Sequence, residues 1–229
     1  MPTTLFLTNL SQRHIVKLLA SRNDPSPQLE LEYLCGGSLR DQLKARKYFT
    51  GKKCVMIAQQ TIAGIAYLHS LEPPITHRDI SDGNILIERR DADGIIVKLG
   101  DFGLSKEGPN LTTIVGTPLF LPPEFFDDNR APGMFRTAER YTKAVDVWAL
   151  GAVISLLRCG FPERTRDHDD NPKLWCRDVL TRVVFYHKKT RDSLSYFVAE
   201  RMLCMSPANR WNSQVILEHS EQFTASPKT

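Results

Sequence analysis

The chain has 229 residues, 41% of them hydrophobic and 24% charged, which is typical of a globular protein with one large domain or two small ones. The net charge of +4 is spread along the chain, so we predict no nucleic-acid partner. The five cysteines form no Cys-x-x-Cys pair, no apolar run reaches the length of a membrane span, and the first residues lack signal-peptide character. We predict a cytoplasmic or nuclear protein with no membrane partner; its oligomeric state is open.

The first third of the chain predicts a few strands followed by a long helix. Paired glycines stop the second strand, and Ser38 is positioned to cap the helix after it. Apolar residues at helical spacing indicate that the long helix is buried. In order, the predicted elements are the last turns of a helix at 3–10, strands at 15–19 and 29–34, a short helix from 39, and a helix over 53–69.

The remainder predicts two more strands and then mainly helices. Strands at 85–87 and 95–99 flank the turn at 91–94, and the polar segment 104–124 is expected to be irregular. The following elements are a central helix at 142–157, a loop at 160–176, and further helices from about 178. A few strands followed by helices predict an α+β fold.

Two acidic triplets carry the chemistry. Asp79 ends the triplet His77-Arg78-Asp79, Asn84 follows it by five residues, and Asp101 begins Asp101-Phe102-Gly103. A carboxylate at Asp79 can orient a hydroxyl nucleophile, while Asn84 and Asp101 offer the hard oxygen ligands that magnesium prefers. A base and two metal ligands in this order are what phosphoryl transfer requires.

Five segments together resemble the eukaryotic protein kinase superfamily, of the serine/threonine type. Residues 77–86 resemble its catalytic loop, 98–104 its magnesium loop, 116–124 the end of its activation segment, 146–151 its central helix, and 206–211 its last arginine turn. The order and spacing match across nearly the whole chain.

This resemblance implies a protein-kinase-like fold with a mainly helical C-lobe and a truncated N-lobe remnant. The remnant would be residues 1–34, comprising the end of helix C, two strands and the hinge. The C-lobe would be 35–223, and 224–229 a tail.

The resemblance also implies ATP and Mg²⁺ as cofactors. Leu31 would be the gatekeeper beside the adenine, Glu32 and Leu34 would contact it through main-chain groups, and Leu86 would lie under its ring. An apolar slot of this kind suits a flat heterocycle. Leu31 and Leu86 could equally be ordinary core residues.

Substrate class and regulation follow from the activation segment. Thr117 resembles the threonine that accompanies serine/threonine specificity, so the expected partner is a protein substrate with a Ser/Thr acceptor. Thr112 and Thr113 fall where an activating phosphate is often placed, and Arg78 would bind that phosphate. An unmodified Thr-rich loop is the alternative, and both readings stay open.

Three matched positions imply structural roles. Glu124 and Arg210 would form a buried ion pair that holds the activation segment on the C-lobe. Asp146 would anchor the backbone of the catalytic loop.

The sequence departs from the family pattern in several places. It contains no Gly-x-Gly-x-x-Gly motif and no Val-Ala-x-Lys strand, and the position of the glutamate that pairs with that lysine falls near Thr3. Ser81 and Gly83 occupy the two positions where kinases of the serine/threonine or tyrosine type place a cation in the catalytic loop. The segment 127–140 is longer than usual. We therefore expect a reduced rate.

Two other functions remain possible. A non-catalytic, kinase-like binding or regulatory module would explain the missing lysine and Ser81. A small-molecule kinase of the aminoglycoside type would share Asp79 and the metal ligands, but would lack Glu124 and the helix containing Asp146. Acidic residues that would select basic substrates are absent from two matched positions, which are Ser38 and Gly83.

Overall fold

The computed structural model describes residues 10–22, 26, 28–108, 115–126 and 142–223. Several predicted features lie outside the described residues: the helix end at 3–9, most of the turn at 23–27, Thr112 and Thr113, the segment 127–140, and the tail at 224–229. The described residues form an α+β fold, as predicted. No helix among them is long and apolar enough to cross a membrane.

The N-terminal strands form a small exposed hairpin. Strand β1 (Leu18–Arg22) pairs antiparallel with β2 (Gln28–Leu31), and every residue of β2 is exposed. The predicted strand at 15–19 is wrong at its start, because Ile15 forms a parallel bridge with Leu99 instead of pairing with β2. The predicted strand at 29–34 begins one residue earlier and ends at Leu31.

Two helices follow, and both begin at side-chain caps. In α1 (Leu39–Lys44) the Ser38 hydroxyl accepts a hydrogen bond from the Asp41 amide, and the Asp41 carboxylate accepts one from the Ser38 amide. Helix α2 (Gly51–Ser70) extends the predicted 53–69 by a few residues, since Thr50 caps it through the Lys53 amide. Its buried face packs against β5 and two later helices.

The middle of the chain contains two antiparallel pairs that frame the catalytic loop. Strand β4 (Ile85–Arg90) pairs with β5 (Ile95–Leu99), as predicted, and the alternating buried residues Ile85, Ile87, Val97 and Leu99 face the core. Strand β3 (Ile75–Thr76) pairs with β6 (Lys106–Glu107), which the prediction of an irregular 104–124 had missed. Two 3₁₀ turns follow at Pro118–Phe120 and Pro123–Phe126.

Helix α3 (Ala144–Cys159) is the centre of the core. It corresponds to the predicted helix at 142–157 and is buried on almost every face. Trp148 is 1% exposed and Leu150 is 0% exposed. A helix that is apolar all round must be surrounded by other elements, so α3 becomes the fixed support on which the site residues rest.

The prediction of a loop at 160–176 is wrong. Helix α4 (Arg166–Asp170) and helix α5 (Pro172–Thr190) begin there, well before the predicted start at 178. Pro172 occupies the first turn of α5, where its missing N–H costs nothing. The remaining elements are α6 (Ser193–Phe197), a π-helical turn at Val198–Met202, a 3₁₀ turn at Pro207–Asn209, α7 (Ser213–His219) and a 3₁₀ turn at Ser220–Gln222.

Candidate active site

A buried histidine fixes the start of the loop between β3 and β4. His77 is fully buried, its Nε2 lies 3.0 Å from the Gly100 carbonyl, and its Nδ1 accepts a hydrogen bond from the Asp79 amide at 3.3 Å. Because Nδ1 accepts, Nε2 carries the proton and donates to Gly100. Burial lowers the pKa of His77, which favours this neutral form. The imidazole therefore ties the Asp79 loop to the loop containing Asp101.

Asp146 anchors the same loop from helix α3. Its carboxylate accepts hydrogen bonds from the amides of His77 (2.8 Å) and Arg78 (2.9 Å), and lies 2.9 Å from Nε2 of His69. Burial alone would raise the pKa of Asp146, but the hydrogen bond and charge of His69 outweigh it and hold that pKa below its usual value. Arg78 has a φ of +67°, a strained backbone that this buried anchor stabilises.

The Asp79 carboxylate is held by two neighbours. Its Oδ1 accepts hydrogen bonds from the Thr117 amide and the Thr117 hydroxyl, both at 2.8 Å. Its Oδ2 accepts one from Asn84 Nδ2 at 2.8 Å. A carboxylate has about four lone-pair positions. Among the described residues three are used, so Oδ2 keeps one for an incoming hydroxyl.

Asp101 lies on the adjoining loop and is exposed. The Gly100 amide donates to the Asn84 carbonyl at 2.9 Å, which joins the two loops directly before Asp101. Asp101 itself has a φ of +56°, and its Oδ1 accepts a hydrogen bond from the Gly103 amide at 3.1 Å. The structure thus brings Asp79, Asn84 and Asp101 to one surface, and Phe102 packs beneath it against the His77 ring, with centroids 4.9 Å apart.

Asn84 and Asp101 fit a divalent cation that also binds phosphate. Within the described ranges, Asn84 Oδ1 accepts no hydrogen bond, and no cluster of three His, Cys, Asp or Glu side chains could enclose a metal. Magnesium is commonly bound by one or two protein oxygens, with phosphate and water completing the octahedron. Two protein ligands without a closed cage match that pattern.

Of the residues expected to contact adenine, Leu86 is the one that packs directly before Asp101, against Gly100. Leu31 is 40% exposed, so the alternative that it is a core residue is wrong. Leu86 is half-buried next to Gly100, and a β-carbon on Gly100 would lie 2.9 Å from its Cδ1. Leu34 is also half-buried. These exposures leave apolar side chains accessible to a flat ligand.

Glu32 uses its side chain for the fold. Lys98 Nζ donates to both carboxylate oxygens, at 2.7 and 2.8 Å, and the Lys17 amide donates to Oε1 at 2.8 Å. Burial would raise the pKa of Glu32, but these bonds and charges lower it. The Glu32 amide donates to the Lys17 carbonyl at 3.0 Å, so the main-chain carbonyl of Glu32 is the group suited to a ligand, and its contact with adenine stays a prediction.

The segment after 115 is locked to the catalytic loop. Gly116 has a φ of +121°, and a β-carbon there would lie 2.7 Å from the Arg78 carbonyl oxygen. Only glycine suits this position, which places Thr117 against Asp79. Further along, Glu124 and Arg210 form a bidentate pair with both N–O distances at 2.6 Å, and the Arg210 guanidinium lies 5.0 Å from the Trp148 ring centre.

Arg78 points its side chain at the neighbouring loop. Its Nε donates to the Leu104 carbonyl, and burial lowers the pKa of its half-buried guanidinium. Its predicted binding of a phosphate at Thr112 or Thr113 stays a prediction.

Comparison with known proteins identifies the family. The model of the protein kinase domain matches residues 4–220, which is nearly the whole chain. The chain belongs to the protein kinase family. It is homologous to serine/threonine kinases: it is 32% identical over 219 residues to calcium/calmodulin-dependent protein kinase type 1B of Rattus norvegicus, and 30% identical over 219 residues to serine/threonine-protein kinase DCLK1 of the same organism.

These relatives are longer than the chain. The alignments cover 93% of this chain, but 59% of the type 1B kinase and 47% of DCLK1. Among solved structures, the Rad53 kinase domain with SCD2 matches with a TM-score of 0.69 at 26% identity, covering 94% of this chain and 72% of that one. Rad53 1-466 in complex with AMP-PNP gives the same TM-score and identity over 94% of this chain and 52% of that one. The predicted resemblance and kinase fold are confirmed.

Against the kinase pattern, neither of the two loop positions where the family places a cation carries one, because they are Ser81 and Gly83. Ser81 is 1% exposed, and its hydroxyl has no hydrogen-bond partner in the part of the chain that the structure describes. It points into the interior and contributes no charge.

Arg40 on α1 packs against this loop, and the sequence analysis did not single it out. Arg40 Nε and Nη2 donate to Asp82 Oδ1 at 3.0 and 2.8 Å, and the Arg40 amide donates to the Asp82 carbonyl at 2.9 Å. A β-carbon on Gly83 would lie 2.9 Å from Arg40 Cζ, so the missing side chain makes room for the guanidinium. Gly83 was the one signal in the sequence for a side chain packed over this loop. The packing of α1 on the loop could not be predicted from the sequence.

His69 was also missed as a site residue. It was read as part of the apolar face of α2, but its ring bridges Asp146 and the Ser213 hydroxyl, which lies 2.8 Å from Nδ1. A histidine on an apolar face gives no sign of such a partner, because the partner is distant in sequence.

Proposed function

We propose that this chain is a serine/threonine protein kinase domain that transfers the γ-phosphate of ATP to a Ser or Thr hydroxyl of a protein. The observation that carries the proposal is the arrangement at Asp79, where three hydrogen bonds from Thr117 and Asn84 orient the carboxylate and leave one acceptor position on Oδ2. That position suits a hydroxyl donor.

Asp79 would orient the acceptor hydroxyl and accept its proton. A positioned base typically contributes a factor of 10²–10⁴ to a rate. Thr117 supports this role, because its amide and hydroxyl fix Oδ1 and so aim Oδ2 away from the activation segment. The preference for a Ser or Thr acceptor over tyrosine rests on the resemblance of Thr117 to the threonine that accompanies this specificity in the family.

Asn84 and Asp101 would hold magnesium, which when bound bridges and neutralises phosphate oxygens. The joined loops keep these two side chains next to Asp79. Leu31, Leu34 and Leu86, with the main chain of Glu32, would bind the adenine. A related structure, Rad53 1-466, is a complex with AMP-PNP, which supports a nucleotide as the ligand.

A second candidate is a binding or regulatory module without catalysis. It is favoured by Ser81, which is buried where a kinase of this type has a cation. Such a module would keep the fold and bind proteins, and would transfer no phosphate.

The test uses the full-length natural protein with magnesium, ATP and peptides that differ only in a Ser, Thr or Tyr acceptor, with products identified by mass spectrometry. We expect phosphoserine and phosphothreonine and no phosphotyrosine. Asp101→Asn should abolish transfer, whereas Asp93→Asn, in the exposed turn between β4 and β5, should leave it unchanged. Absence of transfer by the wild-type protein would favour the binding module.

A further inference from the structure

A groove of about 810 Å³ runs from the catalytic loop along α1 to α5. Its floor is apolar, and Trp175 is fixed there by a hydrogen bond from Nε1 to the Leu119 carbonyl at 3.0 Å. The apolar floor consists of Leu43, Leu119, Phe120, Leu156, Phe161 and Trp175. A surface of this shape suits an extended peptide better than a small ligand.

The rim of the groove is positively charged. Arg40, Lys44 and Arg164 line it, and among the described lining residues one is a carboxylate, Asp82. Arg164 is paired at the surface with Asp169, at 2.6 Å. The side chains that face a bound segment therefore leave an excess of positive charge.

The groove begins at the catalytic carboxylate. Thr117 lines it and donates two hydrogen bonds to Asp79. A segment whose hydroxyl lies at Asp79 would thus place its neighbouring side chains between α1 and the 3₁₀ turn at Pro118–Phe120. A charged side chain that lines the groove would therefore contact the bound segment next to the acceptor residue.

Arg40 retains donors for a ligand. Its side chain is 39% exposed, and Asp82 uses only Nε and one N–H of Nη2 among the five N–H groups of the guanidinium. The bond to Asp82 and the charge of Asp79 help to raise the pKa of Arg40, which stays charged. Gly83 lets this guanidinium lie over the loop at the place where an acidic side chain would select a basic substrate.

We propose that this groove binds protein segments that carry an Asp or Glu side chain beside the Ser/Thr acceptor, and that Arg40 is the residue that selects the carboxylate. The inference rests on the proposed function and names its substrate class. Charge complementarity supports it, because Ser38 and Gly83 offer no carboxylate to a basic segment, whereas Arg40 and Lys44 line the groove with positive charge.

The test measures binding to the full chain by fluorescence anisotropy. Three serine peptides are identical except for Glu, Gln or Lys next to the acceptor. We expect the Glu peptide to bind about fivefold more tightly than the Gln peptide, as one partly screened ion pair predicts, and the Lys peptide to bind most weakly. Arg40→Glu should reverse the order, and Lys44→Glu should reduce the preference in part.

The controls separate folding and surface charge from recognition. Arg40→Gln keeps a polar side chain beside Asp82 and should abolish the preference with an unchanged circular dichroism spectrum. Arg89→Glu changes an exposed, ion-paired arginine on β4 outside the groove and should leave the order intact. A wild-type protein that prefers the Lys peptide, treats all three alike or binds none would overturn the inference.

The same peptides in a transfer assay separate this inference from the proposed function. Preference for the Glu peptide in binding without any phosphate transfer would overturn the catalytic proposal alone. Transfer that is equally fast to all three peptides would overturn the groove proposal alone.

Discussion

The two sides of the site differ in how they are built. On the side proposed to receive the hydroxyl, Asp79 is held by Thr117 and Asn84, and its loop is anchored by Asp146, which is 1% exposed. On the side proposed to contact adenine, β2 is exposed along its length and Leu31 is 40% exposed. One side rests on the core, and the other rests on a two-stranded hairpin.

The difference indicates which part of the site has a fixed geometry. Buried polar groups with satisfied partners have few alternative arrangements, so they fix a carboxylate within tenths of an ångström. An isolated two-stranded hairpin is marginally stable by itself. The geometry for orienting a hydroxyl should therefore resist substitution outside the core, whereas nucleotide affinity should respond to the hairpin and to the segments around it.

The largest expected effect comes from breaking the buried ion pair. Glu124→Ala leaves Arg210 without its carboxylate partner and should lower the free energy of unfolding by about 3–5 kcal/mol. Asp169→Ala, which breaks the exposed pair with Arg164, should cost less than about 1 kcal/mol. Urea unfolding of both variants measures the contrast, and equal losses would show that burial does not separate these pairs.

A substitution at Gly116 tests the contact between the activation segment and the loop. Gly116→Ala combines a φ of +121° with a β-carbon 2.7 Å from the Arg78 carbonyl, so we expect a loss of about 1–3 kcal/mol and a displaced Thr117. Gly108→Ala is the matched control, because its φ is +91° and its β-carbon meets no described atom. Similar turnover in both variants would contradict the role given to Thr117.

The pH dependence tests the neutral His77. Its folded pKa lies below the ordinary value near 6.5, so its contribution to stability is complete above that pH and is lost as the pH falls toward the folded pKa. Stability should therefore rise with pH below about 6.5, and this rise should be much smaller in His77→Gln. His14, whose pKa is also lowered but which is only partly buried, should account for less of it. If the stability of the His77→Gln protein depended on pH as the wild-type stability does, the role given to His77 would be wrong.

The smallest effect is expected on the exposed hairpin. Leu29 in β2 is 37% exposed, and Leu29→Ala should change stability by no more than about 0.5 kcal/mol. The buried Leu39→Ala in α1 should cost about 2–5 kcal/mol by chemical denaturation. A large loss of stability in Leu29→Ala would show that the hairpin is packed as tightly as the core, and would contradict the contrast between the two sides.

The sequence predicted the features that depend on residues close together in the chain. Helices α1, α2 and α3, the β4–β5 hairpin and the positions of Asp79, Asn84 and Asp101 follow from caps, periodicity and motif spacing. Distant contacts were not readable: Ile15 pairs with Leu99, and Arg40 reaches Asp82, because separate elements pack together. Helix α4 and the beginning of α5 were missed, since their charged residues and Pro172 look like a loop until packing supplies their buried face.

The most direct test of the account compares turnover with nucleotide affinity in Asp79→Asn of the full-length protein. The variant keeps the shape of the side chain, and Asp79 lies on the hydroxyl side alone. We predict that kcat falls by about 10²-fold or more while the Kd for magnesium–ATP changes less than about twofold. Turnover near the wild-type value, or a loss of nucleotide affinity as large as the loss of turnover, would contradict the account.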